Sequence, residues 1–279
     1  MQAPPPLTDR ATLLRHRARA ARAPALFLQE LAADELQERL IEVNRTFTAP
    51  AVVTGMPDLW RSRLPQARIV ADDEVLALDE GAHDLVIHAM CLHWANDPVG
   101  QMVQCRRALR PDGLFLGVLF GGRTLAELRA SLAEAEAAVT GGLSPRVLPM
   151  GEIRDLGGLL QRAGFALPVA DGSTWSVSYA DAFALMEDLR AMGETNALEA
   201  RLRRPTRRAV FAEASRRYGE GFALPDGRVH ATFELIFLTG WAPDASQPKP
   251  LRPGSAAQRL ADALGAVEVP LPPATPHGG

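Results

Sequence analysis

Lysine is almost missing from this chain of 279 residues: among its 30 Lys and Arg residues, only Lys249 is a lysine. Arginine in its place suits phosphate or carboxylate clamps or follows from biased coding composition, and the second reading is preferred. Net charge is small too, at −3, so there is no reason to expect a nucleic-acid partner, whose binders are usually strongly basic. Two cysteines, Cys91 and Cys105, exclude a disulfide framework or a zinc cluster. Both sit among apolar neighbours and read as small core residues. No apolar run approaches the roughly 18 residues of a spanning helix, so no integral membrane segment is expected. The Ala- and Arg-rich beginning is interrupted by Asp9, and acids resume at Glu30, Asp34 and Glu35, which argues against a transit peptide. It reads as a helix of the fold, in a cytoplasmic protein.

What is present is an ordinary globular composition, 47% hydrophobic and 23% charged. The most legible stretch is 82–113. An acid, Asp84, precedes a buried-strand run, Leu85 to Ile87, and a helix with Val99, Met102, Val103 and Leu109 follows. That helix stops at Arg110-Pro111-Asp112-Gly113, before a second buried strand at 114–120. Upstream, helices are expected from Thr8-Asp9 onward and over about 24–39. A short strand at 51–55 ends in Gly55, and a helix begins near Pro57, where an early helical position tolerates proline. A strand at 68–73 is tipped with acids. Downstream, Thr124 to Glu127 resembles a capping box, opening a helix to about 139, and a second helix over about 152–163 ends at Gly164. Strands are expected at 165–169 and 175–179, helices at about 182–192 and 206–218, and a last antiparallel strand at 229–241. This is an α/β sandwich with a mainly parallel sheet. Residues 1–242 form one domain with a helical insertion at about 181–220. Residues 243–279 are a mostly irregular tail with one amphipathic segment near 255–264.

Ligands of open α/β sheets sit beyond the carboxyl ends of the strands, which directs attention to Thr54-Gly55-Met56, to Asp72 and Asp73, and to the stretch from His88 to Trp94. A nucleotide-like ligand needs a glycine turn after the first strand, and one glycine followed by Met56 and Pro57 barely supplies it. Proline removes a backbone donor there. Asp72, 17 residues after Gly55, lies near the roughly 20-residue interval of ribose-binding acids; the bland reading makes Asp72, Asp73 and Glu74 a solvated turn. His88 and His93 lack metal-ligand spacing, and no metal is expected. Trp94 serves either packing or a ligand platform.

The motifs Asp84-Leu85-Val86-Ile87, Leu92-His93-Trp94-Ala95-Asn96-Asp97 and Leu109-Arg110-Pro111-Asp112-Gly113 resemble the fourth-strand region of class I SAM-dependent methyltransferases, a Rossmann-like fold. Longer stretches narrow the likeness: 120–129, Gly141-Gly142-Leu143-Ser144-Pro145-Arg146, 155–165, the run from Asp188 to Glu194, and Thr239-Gly240-Trp241. They resemble the methyltransferase-fold assembly factor of respiratory complex I, an arginine hydroxylase, and its bacterial relatives; the malonyl-carrier-protein methyltransferase is more distant. The resemblance implies S-adenosyl-L-methionine as cofactor, held by Thr54, Gly55, Met56, Asp72, Asp73, His88, Ala89 and Met90. It also implies a complex I subunit or another protein as substrate, and leaves the catalytic residues unassigned. Where the family has an acid and a run of glycines after the first strand, this chain has Val53-Thr54-Gly55-Met56-Pro57. Only ten residues separate Asp73 from Asp84, too few for a further strand with its crossover. One strand–helix unit is therefore missing, and Ile69 to Ala71 should pair directly beside the first strand. Two function classes follow: a SAM-dependent enzyme that methylates or hydroxylates, or a non-catalytic binding and assembly factor with a decayed pocket.

Overall fold

The computed structural model describes residues 5–248. A six-stranded sheet runs in the order β2-β1-β3-β4-β6-β5, from β1 (Pro50–Thr54), β2 (Arg68–Val70), β3 (His83–Ala89), β4 (Leu109–Phe120), β5 (Ala166–Tyr179) and β6 (Val229–Trp241). Only β6 is reversed: it pairs antiparallel with β4 and with β5, while β1, β2, β3 and β4 pair in parallel. The helices are α1 (Arg10–Ala20), α2 (Phe27–Val43), α3 (Pro57–Arg63), α4 (Pro98–Ala108), α5 (Ala126–Thr140), α6 (Ile153–Arg162), α7 (Ala182–Met192) and α8 (Arg208–Phe222). Among the described residues, no helix is long and apolar enough to cross a membrane.

Successive strand residues point to opposite faces, and both faces are covered. Val52, Ile87, Leu116 and Phe233 pack one way, against Leu36 of α2, Leu132 of α5, Leu185 of α7 and Tyr218 of α8. Ala51, Val53, Val86 and Phe115 pack the other way, against Met102 and Cys105 of α4 and Leu160 of α6. Two-sided burial is why these strands read as continuous apolar runs rather than alternations. Each fully buried side chain of this size contributes roughly 1.5–3 kcal/mol.

The missing unit has the consequence its length implied. Val52 pairs with Ile69 on one side and with Ile87 on the other, so β2 lies directly against β1. The seven-residue α3 is the only helix between them. Three local expectations are corrected. The two strand candidates at 165–169 and 175–179 are one strand, β5, because the pairing with β6 runs through Gly172 and Ser173 without a turn. The helix before β4 ends at Ala108, ahead of the Arg110–Gly113 stop. The capping box at Thr124 does not form. The Thr124 hydroxyl bonds instead to Glu234 of β6, the Glu127 carboxylate accepts from the Thr232 backbone and hydroxyl, and the chain enters α5 through Leu125 at φ 55°. The proposed amphipathic segment near 255–264 lies outside the described residues.

Candidate functional site

Two cavities open beyond the carboxyl ends of the parallel strands. At the first, the Thr54 hydroxyl accepts from Met56 N at 3.0 Å and turns the chain out of β1, while Asp72 lies two residues past the end of β2. Arg10 and Arg17 of α1 are seven residues apart, two helical turns, so both side chains reach the same place. Arg17 Nη1 donates to Asp72 Oδ1 at 2.7 Å; Arg10 Nη1 donates to Oδ2 at 3.0 Å, and its Nη2 to Oδ1 at 3.3 Å and to the Asp72 carbonyl at 2.8 Å. Burial pushes the Asp72 carboxyl upward, but the two guanidiniums outweigh it and hold the group below the usual carboxylate range. The Arg17 guanidinium also lies across Gly55: a side-chain carbon built on that glycine would sit 2.4 Å from Arg17 Cζ. The space left is a cavity of about 470 Å³ lined by Thr54, Gly55, Met56, Asp72 and Arg17, with Leu14 and Leu26 among the apolar walls.

Behind Asp72 runs a buried polar chain. Gln101 of α4 donates through Nε2 to the carbonyls of Asp72 (3.3 Å) and Asp73 (2.9 Å). Its Oε1 is then the acceptor facing His88 Nε2 at 2.9 Å, so that nitrogen carries the proton. His88 Nδ1 is left as an acceptor 3.5 Å from the Cys91 thiol, whose hydrogen is also within reach of the Val53 carbonyl at 3.6 Å. Burial lowers the His88 pKa to about 4 and raises that of Cys91, so imidazole and thiol are both neutral at pH 7. This cluster positions the Asp72 loop.

The second cavity, about 440 Å³, is built against the helical insertion. Helix α7 ends at Gly193 with φ 80°, and the next residue, Glu194, turns its side chain inward, where it is 9% exposed. Glu194 Oε2 accepts from Trp94 Nε1 at 2.7 Å and from His93 Nε2 at 3.2 Å. Both partners belong to the short 3-10 turn after β3. Burial raises the Glu194 pKa, yet His93, Arg17 and the Trp94 bond together bring it below the ordinary value and keep it anionic. The rest of the cavity wall is mostly apolar, with Phe120, Leu128, Leu148, Phe183 and Phe233, and with Arg190 on the lining.

The structure thus brings Thr54, Gly55, Met56 and Asp72 together on one cavity. Asp73 flanks it with an exposed side chain, 3.8 Å from Arg10. His88, Ala89 and Met90 are fully buried behind the cavity rather than on its wall. No metal-binding group of His, Cys, Asp and Glu occurs among the described residues. Sequence reasoning missed Arg10, Arg17 and Glu194 as site residues. Arg17 was visible only as part of a helical pattern, and Glu194 only as the end of the Asp188–Glu194 motif.

These residues do not fit S-adenosyl-L-methionine held in the expected way. A ribose diol needs an open carboxylate, and Asp72 accepts three side-chain hydrogen bonds from arginine and is 3% exposed. The glycine face that should admit the cofactor's backbone contacts is roofed by a guanidinium.

Residues 30–117 match the family model of the methyltransferase domain. The mitochondrial arginine-hydroxylase NDUFAF5 of Danio rerio is 37% identical over 230 residues, 82% of this chain and 71% of that protein. The human protein of the same name is 37% identical over 83% of this chain and 66% of its own length. The malonyl-(acyl-carrier protein) O-methyltransferase of Laribacter hongkongensis (strain HLHK9) is 31% identical over 76% of this chain and 72% of that protein. The chain thus spans about two thirds of the length of these relatives. Among solved structures, a Burkholderia thailandensis 1,6-didemethyltoxoflavin-N1-methyltransferase is 14% identical with a TM-score of 0.44, covering 88% of this chain and 94% of that one. On these sequence matches the chain belongs to the methyltransferase family that includes the NDUFAF5 arginine hydroxylases.

Proposed function

We propose that this protein is an enzyme acting on an arginine side chain of a protein substrate, with a role in the assembly of respiratory complex I. One observation carries the reading: an anionic carboxylate, Glu194, stands on the wall of an otherwise mostly apolar cavity with both of its hydrogen bonds on Oε2. Oε1 is left for a donor. A guanidinium supplies planar N–H groups matched to a carboxylate, and apolar walls suit its methylene stem and hydrophobic neighbours. The name shared by the animal relatives, arginine-hydroxylase, supports the same substrate class. Placement in the cytoplasm belongs to this reading, and the two unpaired, buried thiols suit a reducing compartment.

The non-catalytic alternative draws on the first cavity, whose glycine face Arg17 covers, while the Glu194 carboxylate on the second cavity supports the enzyme. The test is mass spectrometry of an arginine-containing peptide from a complex I subunit, incubated with the purified chain and a cell extract supplying co-substrates. Gain of one oxygen on arginine supports hydroxylation, and gain of a methyl group supports methyl transfer. An arginine unmodified at every extract concentration, with the peptide bound, would favour the assembly-factor reading instead.

A further inference from the structure

The cavity at the end of β1 presents a cation where the family's cofactor needs an acid. Arg17 is nine-tenths buried, and one of its nitrogens, Nη1, is engaged by Asp72. Among the described residues, Nε and Nη2 have no hydrogen-bond partner, and neither is sealed from solvent. The guanidinium lies flat over Gly55 on the cavity wall. Its position is fixed: Asp72 holds it from one side, Arg10 anchors Asp72, and Gln101 holds the Asp72 and Asp73 carbonyls. Leu14, Leu26, Met56, Leu59, Ile69 and Val70 form apolar wall, and the exposed ion pair of Asp58 and Arg61 also lines the cavity.

We infer that this cavity is an anion site, which takes a small organic molecule with an apolar body and a carboxylate or phosphate held in two-point contact by Nε and Nη2 of Arg17. Asp72 is then a positioning residue for Arg17 rather than a ribose ligand. Paired N–H groups of one guanidinium match two oxygens of such an anion, and the contact strengthens in a water-poor cavity. The missing β-carbon of Gly55 has a matching purpose, since any side chain there would displace the guanidinium. This cavity shares no lining residue with the one that contains Glu194; because Arg17 also acts on Glu194, the two readings are separated by Glu194→Gln, which should not weaken anion binding here.

Calorimetry on the full chain tests it with four probes: benzoate, inorganic phosphate, adenosine and S-adenosyl-L-methionine. The expected result is saturable binding of benzoate or phosphate, no binding of adenosine, and at least a tenfold loss of anion affinity in the Arg17→Gln/Asp72→Asn double variant. That pair of substitutions removes both charges together, so neither is left buried alone. Should the double variant fail to fold, Arg17→Lys keeps the charge beside Asp72 but removes the fork, and the same loss is expected. Binding of S-adenosyl-L-methionine that falls in these variants assigns its carboxylate to Arg17 and supports the site. Binding of adenosine without either anion, of S-adenosyl-L-methionine at unchanged affinity in the variants, or of no probe at all overturns it.

Discussion

At Asp72, burial works against the charged carboxylate, and the Arg17 and Arg10 guanidiniums reverse the balance. A buried pair of this kind is costly to break from one side, because the remaining charge has neither water nor partner. Asp72→Asn should therefore lower stability by about 3–5 kcal/mol in urea unfolding, and Arg17→Gln/Asp72→Asn by clearly less than the sum of the single variants. Additive losses would mean that the pair is not coupled. His88 gives a pH signature of opposite origin. Its folded pKa of about 4 lies below the ordinary imidazole value of 6.5. Between those values the unfolded chain binds the proton and the folded chain does not, so stability falls as pH drops from about 6.5 toward 4. The change from this one group reaches about 3 kcal/mol. His16 is also lowered by burial and adds to the slope. His88→Gln should flatten the wild-type difference between urea unfolding at pH 7 and at pH 5; an unchanged slope would remove His88 from the account.

Among the elements, α7 and its terminus place Glu194. Gly193 closes α7 at φ 80°, and the Glu194 N–H reaches back to the Leu189 carbonyl at 2.9 Å. A side chain at that φ is strained by roughly 1–2 kcal/mol, and its β-carbon would lie 3.3 Å from Arg17 Cγ. Gly193→Ala should lower the melting temperature and weaken arginine-peptide binding, because the residue that moves is Glu194. Loss of stability with unchanged peptide affinity would show that α7 does not set the Glu194 geometry. Elements were legible where the signal was local: Thr8-Asp9 marks the start of α1, where Asp9 accepts the Thr12 backbone N–H. Thr124 and Glu127 carry an equally local signal, yet β6 claims both side chains. β5 reads from sequence as two strands, 165–169 and 175–179, and the residues between them, Asp171-Gly172-Ser173, have turn composition. Only the partner strand, more than 60 residues away in sequence, keeps it straight.

For the whole molecule, the two-sided sheet and the shortened segment between β2 and β3 were both readable, the first from apolar runs and the second from a residue count. The direct pairing of Val52 with Ile69 follows from that count, because a gap in the sheet would leave backbone groups unpaired. Four of the eight residues expected around a cofactor, Thr54, Gly55, Met56 and Asp72, line one cavity, since strand ends mark where clefts form. The sequence gives no local sign that an amino-terminal helix would lay two arginines over them. Arg10 and Arg17 are 62 and 55 residues from Asp72, and nothing near either arginine announces the contact. Glu194 is likewise 101 and 100 residues from His93 and Trp94. Tertiary juxtaposition, not motif, makes both sites. The most direct measurement compares an arginine peptide with the same peptide carrying neutral citrulline, titrated by fluorescence anisotropy against wild type and Glu194→Gln. A charged hydrogen-bonded pair of this kind predicts about 10- to 100-fold tighter binding of the arginine peptide to wild type, and loss of that preference in Glu194→Gln. Equal affinities for the two peptides in wild type would contradict the assignment of Glu194 and its cavity to an arginine substrate.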